Sequence, residues 1–186
     1  VRHNDKIAYL CDKSITITTL FNILMGLEKA DSGEIKWGKT ITASYLPQDN
    51  RSYFENCDLS LVDWLKQFSK ENDEEFIRGW LGRMLFSGVE ATKKANVLSG
   101  GERVRCMLAK TMLQSGNVVI LDEPTNHLDL ESITALNKGM INFKGSMLFA
   151  SHDEEIMQTV ANRIIEIKND GTVIDKETTY DDYMGD

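Results

Sequence analysis

Two neighbouring carboxylates set the terms for any chemistry in this sequence. In Val118-Val119-Ile120-Leu121-Asp122-Glu123-Pro124-Thr125 an apolar run ends on Asp122 and Glu123. Such a run reads as a core strand that delivers both acids at its C-terminal end, where α/β sheets bind ligands. One carboxylate can hold Mg2+ or its water shell while the neighbour orients an attacking water. The plainer reading is a strand that stops at two solvated acids, and on these residues alone both stay open. A second segment, Val97-Leu98-Ser99-Gly100-Gly101-Glu102-Arg103, opens a helix with a hydroxyl and two glycines. Its outward amides, at the positive end of the helix dipole, make an anion site. A Ser99 N-cap with Glu102 in the first turn accounts for the serine without a ligand, but not for two successive glycines.

Two weaker signals accompany these. Phe149-Ala150-Ser151-His152-Asp153 sets a histidine just beyond an apolar run, and Tyr45-Leu46-Pro47-Gln48 ends a strand with an amide side chain. A lone histidine is more often structural than catalytic. Yet the sequence holds only two prolines, and Pro47 and Pro124 each flank one of these segments.

Strands and helices must bring these segments together. Ile7-Ala8-Tyr9-Leu10 reads as a buried strand, and Thr18 to Met25 as a helix with Gly26 as its stop. Short strands are expected around Glu34–Trp37 and Thr40–Leu46 after the turn Asp31-Ser32-Gly33. Residues 49–95 carry helical spacing around Leu61–Leu65 and Phe76–Leu81, and read as a helical insertion. A helix follows from about Gly101 to Leu113, with Val104, Met107, Leu108 and Met112 on one face. Val118–Leu121 and Met147–Ala150 are continuous apolar runs, as in parallel strands covered on both faces. Ile164–Ile167 and Thr172–Ile174 flank the turn Asn169-Asp170-Gly171 as a hairpin. Alternating strands and helices predict an α/β sheet.

Composition narrows the function classes. At 186 residues the chain has room for one domain and little more. A 41% hydrophobic and 27% charged content is that of a folded globular protein, and no apolar run reaches the roughly 20 residues of a membrane span. A net charge of −8 opposes broad capture of a nucleic-acid backbone. Cys11, Cys57 and Cys106 are odd in number and far apart, which argues against a disulfide framework or zinc site and for a reducing cytosol. The start has no signal-peptide character, and the missing initiator Met suggests a fragment of something longer.

Leu98-Ser99-Gly100-Gly101-Glu102, followed by Ile120-Leu121-Asp122-Glu123-Pro124-Thr125-Asn126-His127-Leu128-Asp129, resembles the nucleotide-binding domain of ATP-binding cassette (ABC) proteins. The order agrees as well: Gln48 as Q-loop, helical insertion, signature loop, Walker B strand, D-loop at Leu128-Asp129 and switch His152. The resemblance runs over nearly the whole chain. The string Pro124-Thr125-Asn126-His127-Leu128-Asp129-Leu130 is similar to the ABC-F branch of soluble, cytosolic tandem-cassette ATPases associated with the ribosome, and wording around Tyr53-Phe54-Glu55-Asn56 and Trp64 to a second cassette. The resemblance implies a P-loop NTPase-like three-layer core with a mostly parallel sheet, an α/β body of residues 1–48 and 96–186, and a helical subdomain of residues 49–95. It implies ATP and Mg2+ as cofactors, a second cassette and the ribosome as partners, no membrane, and a cytoplasmic location. By motif match, Glu123, His152 and Gln48 are catalytic, and Asp122, Thr18 and Gln48 serve the metal. Ser14, Thr18, Thr19, Ser99, Gly100, Gly101, Glu102 and Asp129 serve the nucleotide.

One element departs from the family pattern, the phosphate loop G-x-x-x-x-G-K-S/T. The equivalent residues are Cys11-Asp12-Lys13-Ser14-Ile15-Thr16-Ile17-Thr18. Cys11 and Thr16 replace the glycines that allow positive φ and close backbone approach, and Ile17 replaces the lysine. Charge-assisted bonds of ~1.5–3 kcal/mol are lost with it, roughly one to two orders of magnitude in affinity. Only Thr18 survives, and Lys13 is poorly placed to substitute. The aromatic platform for adenine belongs to strands before Ile7, outside this sequence. The signature loop, which in this family serves a nucleotide held by the partner cassette, is intact. Two other readings are a transporter's ATPase subunit, against which Asn126-His127 stands, and a non-hydrolysing pseudo-cassette that acts as an interaction module.

Overall fold

A computed structural model of the protein describes residues 1–114 and 116–185. They form two compact units, one of residues 1–48, 116–125 and 137–185, the other of residues 49–114 and 126–136. In chain order the elements are β1 (Lys6–Cys11), α1 (Ser14–Leu24), β2 (Ala43–Leu46), α2 (Leu61–Lys66), α3 (Glu74–Arg83), α4 (Gly100–Leu113), β3 (Val118–Asp122), α5 (Leu130–Asn142), β4 (Ser146–Ala150), α6 (Glu154–Val160), β5 (Arg163–Ile167), β6 (Val173–Lys176) and α7 (Tyr180–Gly185).

The first unit is an α/β sheet in the order β2-β3-β4-β1-β5-β6. Its neighbours are parallel except β6, which returns antiparallel to β5 as the expected hairpin. Every residue of β3 and β4 is buried, as an apolar strand inside a parallel sheet requires. α1 lays Ile17 and Phe21 into the core beside Ile7, Tyr9, Tyr45, Val118, Ile120 and Leu148, and Phe21 meets Tyr9 edge-on at 5.3 Å between ring centres. The β-branched run Ile15 to Thr19 is a poor helix former; burial of Ile17 and Phe21 selects the helix. Gly26 ends it at φ +73, with Leu27 N–H returning 2.8 Å to Asn22 O.

Two expectations need correction. α1 begins at Ser14 rather than Thr18, so its first turn takes up residues that were aligned with a phosphate loop. Of the two strands expected between Glu34 and Leu46 only β2 forms. Residues 34–42 have no ladder partner among the described residues, and Ile35 and Trp37 are exposed. A strand cannot persist without backbone pairing.

The second unit contains α2, α3 and α4. Ser60 caps α2 by accepting from Asp63 N–H, and Asp73 caps α3 by accepting from Phe76 N–H. Trp64 is its central side chain, stacked on Phe54 at 4.7 Å and edge-on to Phe68 at 5.1 Å. α4 is buried almost all round between Val104 and Thr111, as a helix enclosed by its unit must be. It falls in this unit together with the insertion, not with the sheet.

Candidate functional site

At the junction of β1 and α1, Asp12 and Lys13 alone separate strand from helix. Lys13 occupies the N-cap position in extended conformation, without a side-chain cap bond. No described residue between Cys11 and Thr18 takes a positive φ. Ile17 is 3% exposed, so the residue in the lysine's place fills the core. Ser14 is exposed, while Thr18 and Thr19 are half-buried. A triphosphate site of this kind needs a loop of outward amides and a cation; here Lys13 is the exposed cation of the stretch.

Thr18 meets the acids instead. Its hydroxyl donates to Asp122 Oδ2 at 2.7 Å. Asp122, the last residue of β3, is 1% exposed, and its Oδ1 is buried with no partner among the described residues. Burial raises the Asp122 carboxyl above its ordinary range, with Thr18 opposing. An orphaned carboxylate oxygen beside a hydroxyl fits a Mg2+ ion, which takes one or two such ligands and completes its shell with water and phosphate. Bound there, the ion would neutralise charge and polarise oxygens. The described residues hold no group of three or more His, Cys, Asp or Glu able to enclose a metal on their own.

Glu123 stands next in line, 5% exposed. Its φ of +49 is left-handed, a conformation costing a non-glycine residue roughly 1–2 kcal/mol. Its N–H donates to Ala150 O at 3.0 Å at the end of β4, which pins the strained turn. Glu123 Oε2 accepts from His152 N–H, and Oε1 lies 3.3 Å from His152 Nε2. Burial raises the Glu123 carboxyl and the histidine partly offsets it. A carboxylate of raised basicity, oriented by an imidazole, is suited to positioning water and taking its proton. Asp153 caps α6 and so fixes the chain just after His152. Gln48 is exposed at the C-terminal end of β2, the strand paired with β3 in register Leu46 to Leu121. It makes no hydrogen bond among the described residues.

A buried, uncompensated carboxylate predicts a stability gain on neutralisation. Asp122→Asn keeps the acceptor for Thr18 and removes the charge, so it is expected to stabilise the metal-free domain by about 1–2 kcal/mol at neutral pH. Because the folded pKa is raised, the penalty is absent below the ordinary carboxylate range, grows as pH rises from there toward the folded value, and is constant above it. The gain should therefore vanish near about pH 4, which urea unfolding at both pH values would show.

In the second unit Ser99 opens α4 through a reciprocal capping box: its Oγ accepts from Glu102 N–H at 3.3 Å, and Glu102 Oε2 accepts from Ser99 N–H at 2.8 Å. The Ser99 hydroxyl also donates to the Glu102 carboxylate and helps to lower its pKa, so its proton is engaged within the capping box. Glu102 also accepts from Lys93 Nζ at 2.7 Å, and Lys93 with the Ser99 bonds holds its carboxyl low despite burial. Ser99 is exposed and Gly100 and Gly101 half-exposed. Asp129 caps α5, accepting from Ser132 N–H at 2.8 Å, which depresses its pKa. The Lys93–Glu102 pair had no signal in the sequence.

The family model described as ABC transporter matches residues 17–126. The chain belongs to this family. The cassette is 59% identical over 99% of its length to the uncharacterized ABC transporter ATP-binding protein YkpA of Bacillus subtilis, and covers 34% of that protein. It is 34% identical over 89% of its length to the energy-dependent translational throttle protein EttA of Escherichia coli K12, covering 30% of it. The chain thus spans about a third of these relatives, which are consistent with a cassette of ABC-F type. Among solved structures, the dimeric post-hydrolysis state of the ATP-binding cassette MJ0796 aligns with a TM-score of 0.78 at 17% identity, over 95% of this chain and 87% of that one. The RNase-L Inhibitor aligns with 0.74 at 24% identity, over 89% and 32%. Both support the cassette fold. No helix of the described residues is long and apolar enough to cross a membrane.

Proposed function

We propose that this chain is one cassette of an ABC-F-type ATPase that acts on the ribosome in the cytoplasm, with its own phosphate loop impaired and its signature loop lent in trans to a nucleotide held by a second cassette. The observation that carries this reading is a contrast. Ser99 sits in a complete helix-opening turn that is exposed, while Ile17 is sealed in the core where a phosphate-binding lysine would be needed. Ser99, Gly100 and Gly101 then meet the terminal phosphate of the partner's nucleotide, with the α4 dipole favouring its charge. Asp122, Thr18 and Gln48 are the metal set of this cassette's own half, and Glu123 with His152 its water-positioning pair. The link to translation draws on the relative named a translational throttle.

The test is the Mg-ATPase rate of the full-length polypeptide that carries this cassette. Ser99→Arg places a long cation where the phosphate must approach, and is expected to lower the rate by about tenfold or more, a loss of ~1.4 kcal/mol. An unchanged rate removes the in-trans role and leaves the interaction-module reading, which the buried Ile17 also suits. Co-sedimentation of the same polypeptide with ribosomes tests the target.

A further inference from the structure

The backbones of Gly100 and Gly101 do not account for their being glycine. Neither belongs to the positive-φ set of Gly26, Gly33, Gly88 and Gly171, and glycine in a helix is less stable than alanine. What demands them is a close approach. A Cβ on Gly101 would lie 2.5 Å from the carbonyl oxygen of His127, and a Cβ on Gly100 would lie 3.2 Å from His127 Cγ and 3.3 Å from its Cβ. His127 itself is held at φ +66, a conformation that glycine and, less readily, Asn or Asp adopt. Both segments lie in the same compact unit. The Asp129 cap on Ser132 N–H secures the chain just beyond.

We infer that His127 is a positioning residue for the signature loop: its left-handed backbone sets a carbonyl against Gly101 and its side chain against Gly100, and this double contact fixes the direction of the first turn of α4. His127 acts through the two glycines, not on the nucleotide. Backbone conformation is the larger part of the device, because the carbonyl makes the closer contact and a carbonyl cannot rotate away as a side chain can. The inference rests on the in-trans reading, since a fixed first turn matters to catalysis only if Ser99 and its neighbours meet phosphate.

The residue at position 127 can be changed with the left-handed backbone kept or lost. Asn and Gly keep it; the β-branched Val resists it. In the full-length polypeptide, His127→Val is expected to lower kcat about tenfold, with the ATP concentration for half-maximal rate unchanged. That split marks an interaction made only as the cassettes engage. Bound Mg-AMP-PNP should keep its stoichiometry, which a merely unfolded fraction would not. His127→Asn is expected to lose no more than about threefold. Gly100→Ala should be slow alone and recover when combined with His127→Gly, which removes the obstructing side chain. Failure of that recovery, or a His127→Val rate within about twofold of the parent, overturns the inference. If Ser99→Arg still abolishes turnover in that case, the in-trans reading stands without it; if Ser99→Arg also leaves the rate unchanged, the reading itself has failed.

Discussion

Ile17→Lys is expected to destabilise the domain rather than create a phosphate site. A family alignment invites this substitution, because Ile17 stands where the motif has its lysine. In the structure the side chain is 3% exposed and packed with Tyr9, Phe21, Ile120 and Leu148. Isosteric filling would be lost and an ammonium brought into an apolar core, a penalty of several kcal/mol even after the amine gives up its proton. A loss of about 4 kcal/mol corresponds to roughly 10 °C in melting temperature for a domain of this size. Ile17→Ala calibrates the cavity alone, at about 2–5 kcal/mol. Thermal unfolding of both variants, with MgATP titrated into the lysine variant, decides the matter. A stable lysine variant that gains ATP affinity would show that the β1–α1 junction can open into a cradle after all.

Trp64→Ala is expected to cost the second unit about 3–5 kcal/mol. The indole is 1% exposed, is stacked with Phe54 and edge-on to Phe68, and donates from Nε1 to Tyr53 O at 2.9 Å. The alanine variant loses the packed surface, two ring contacts and that bond together. Trp64→Phe keeps most of the surface but leaves the Tyr53 carbonyl without its donor, so about 1–2 kcal/mol should go. Urea unfolding of both variants separates packing from hydrogen bonding. Equal losses would mean that the bond, not the stack, organises this unit.

The residues of the candidate site were legible where local physics is enough. Asp122 and Glu123 follow an apolar run that can only be a buried strand, and the run places them. Ser99 and Glu102 have the spacing of a capping box and form one. What the sequence could not show depended on distant partners. Motif alignment set Ile17 at a phosphate, whereas the core contacts of Phe21 and Ile17 drew the helix forward to Ser14. Residues 34–37 alternate like a strand, but a strand exists only where another supplies its ladder. The two glycines pointed to phosphate by their type; the His127 carbonyl against which Gly101 lies comes from a segment 26 residues downstream, which only the fold brings near.

The place of β1 in the sheet has a consequence for how the chain is made. Its two neighbours, β4 and β5, pair with it from roughly 140 and 155 residues downstream. At synthesis rates of about 5–20 residues per second, β1 waits on the order of ten seconds for either edge to be covered. Residues 49–114, whose packing partners are mostly close in sequence, can collapse during that interval. Among the described strands of this sheet, Lys6–Cys11 is thus the one whose edges stay open longest during synthesis.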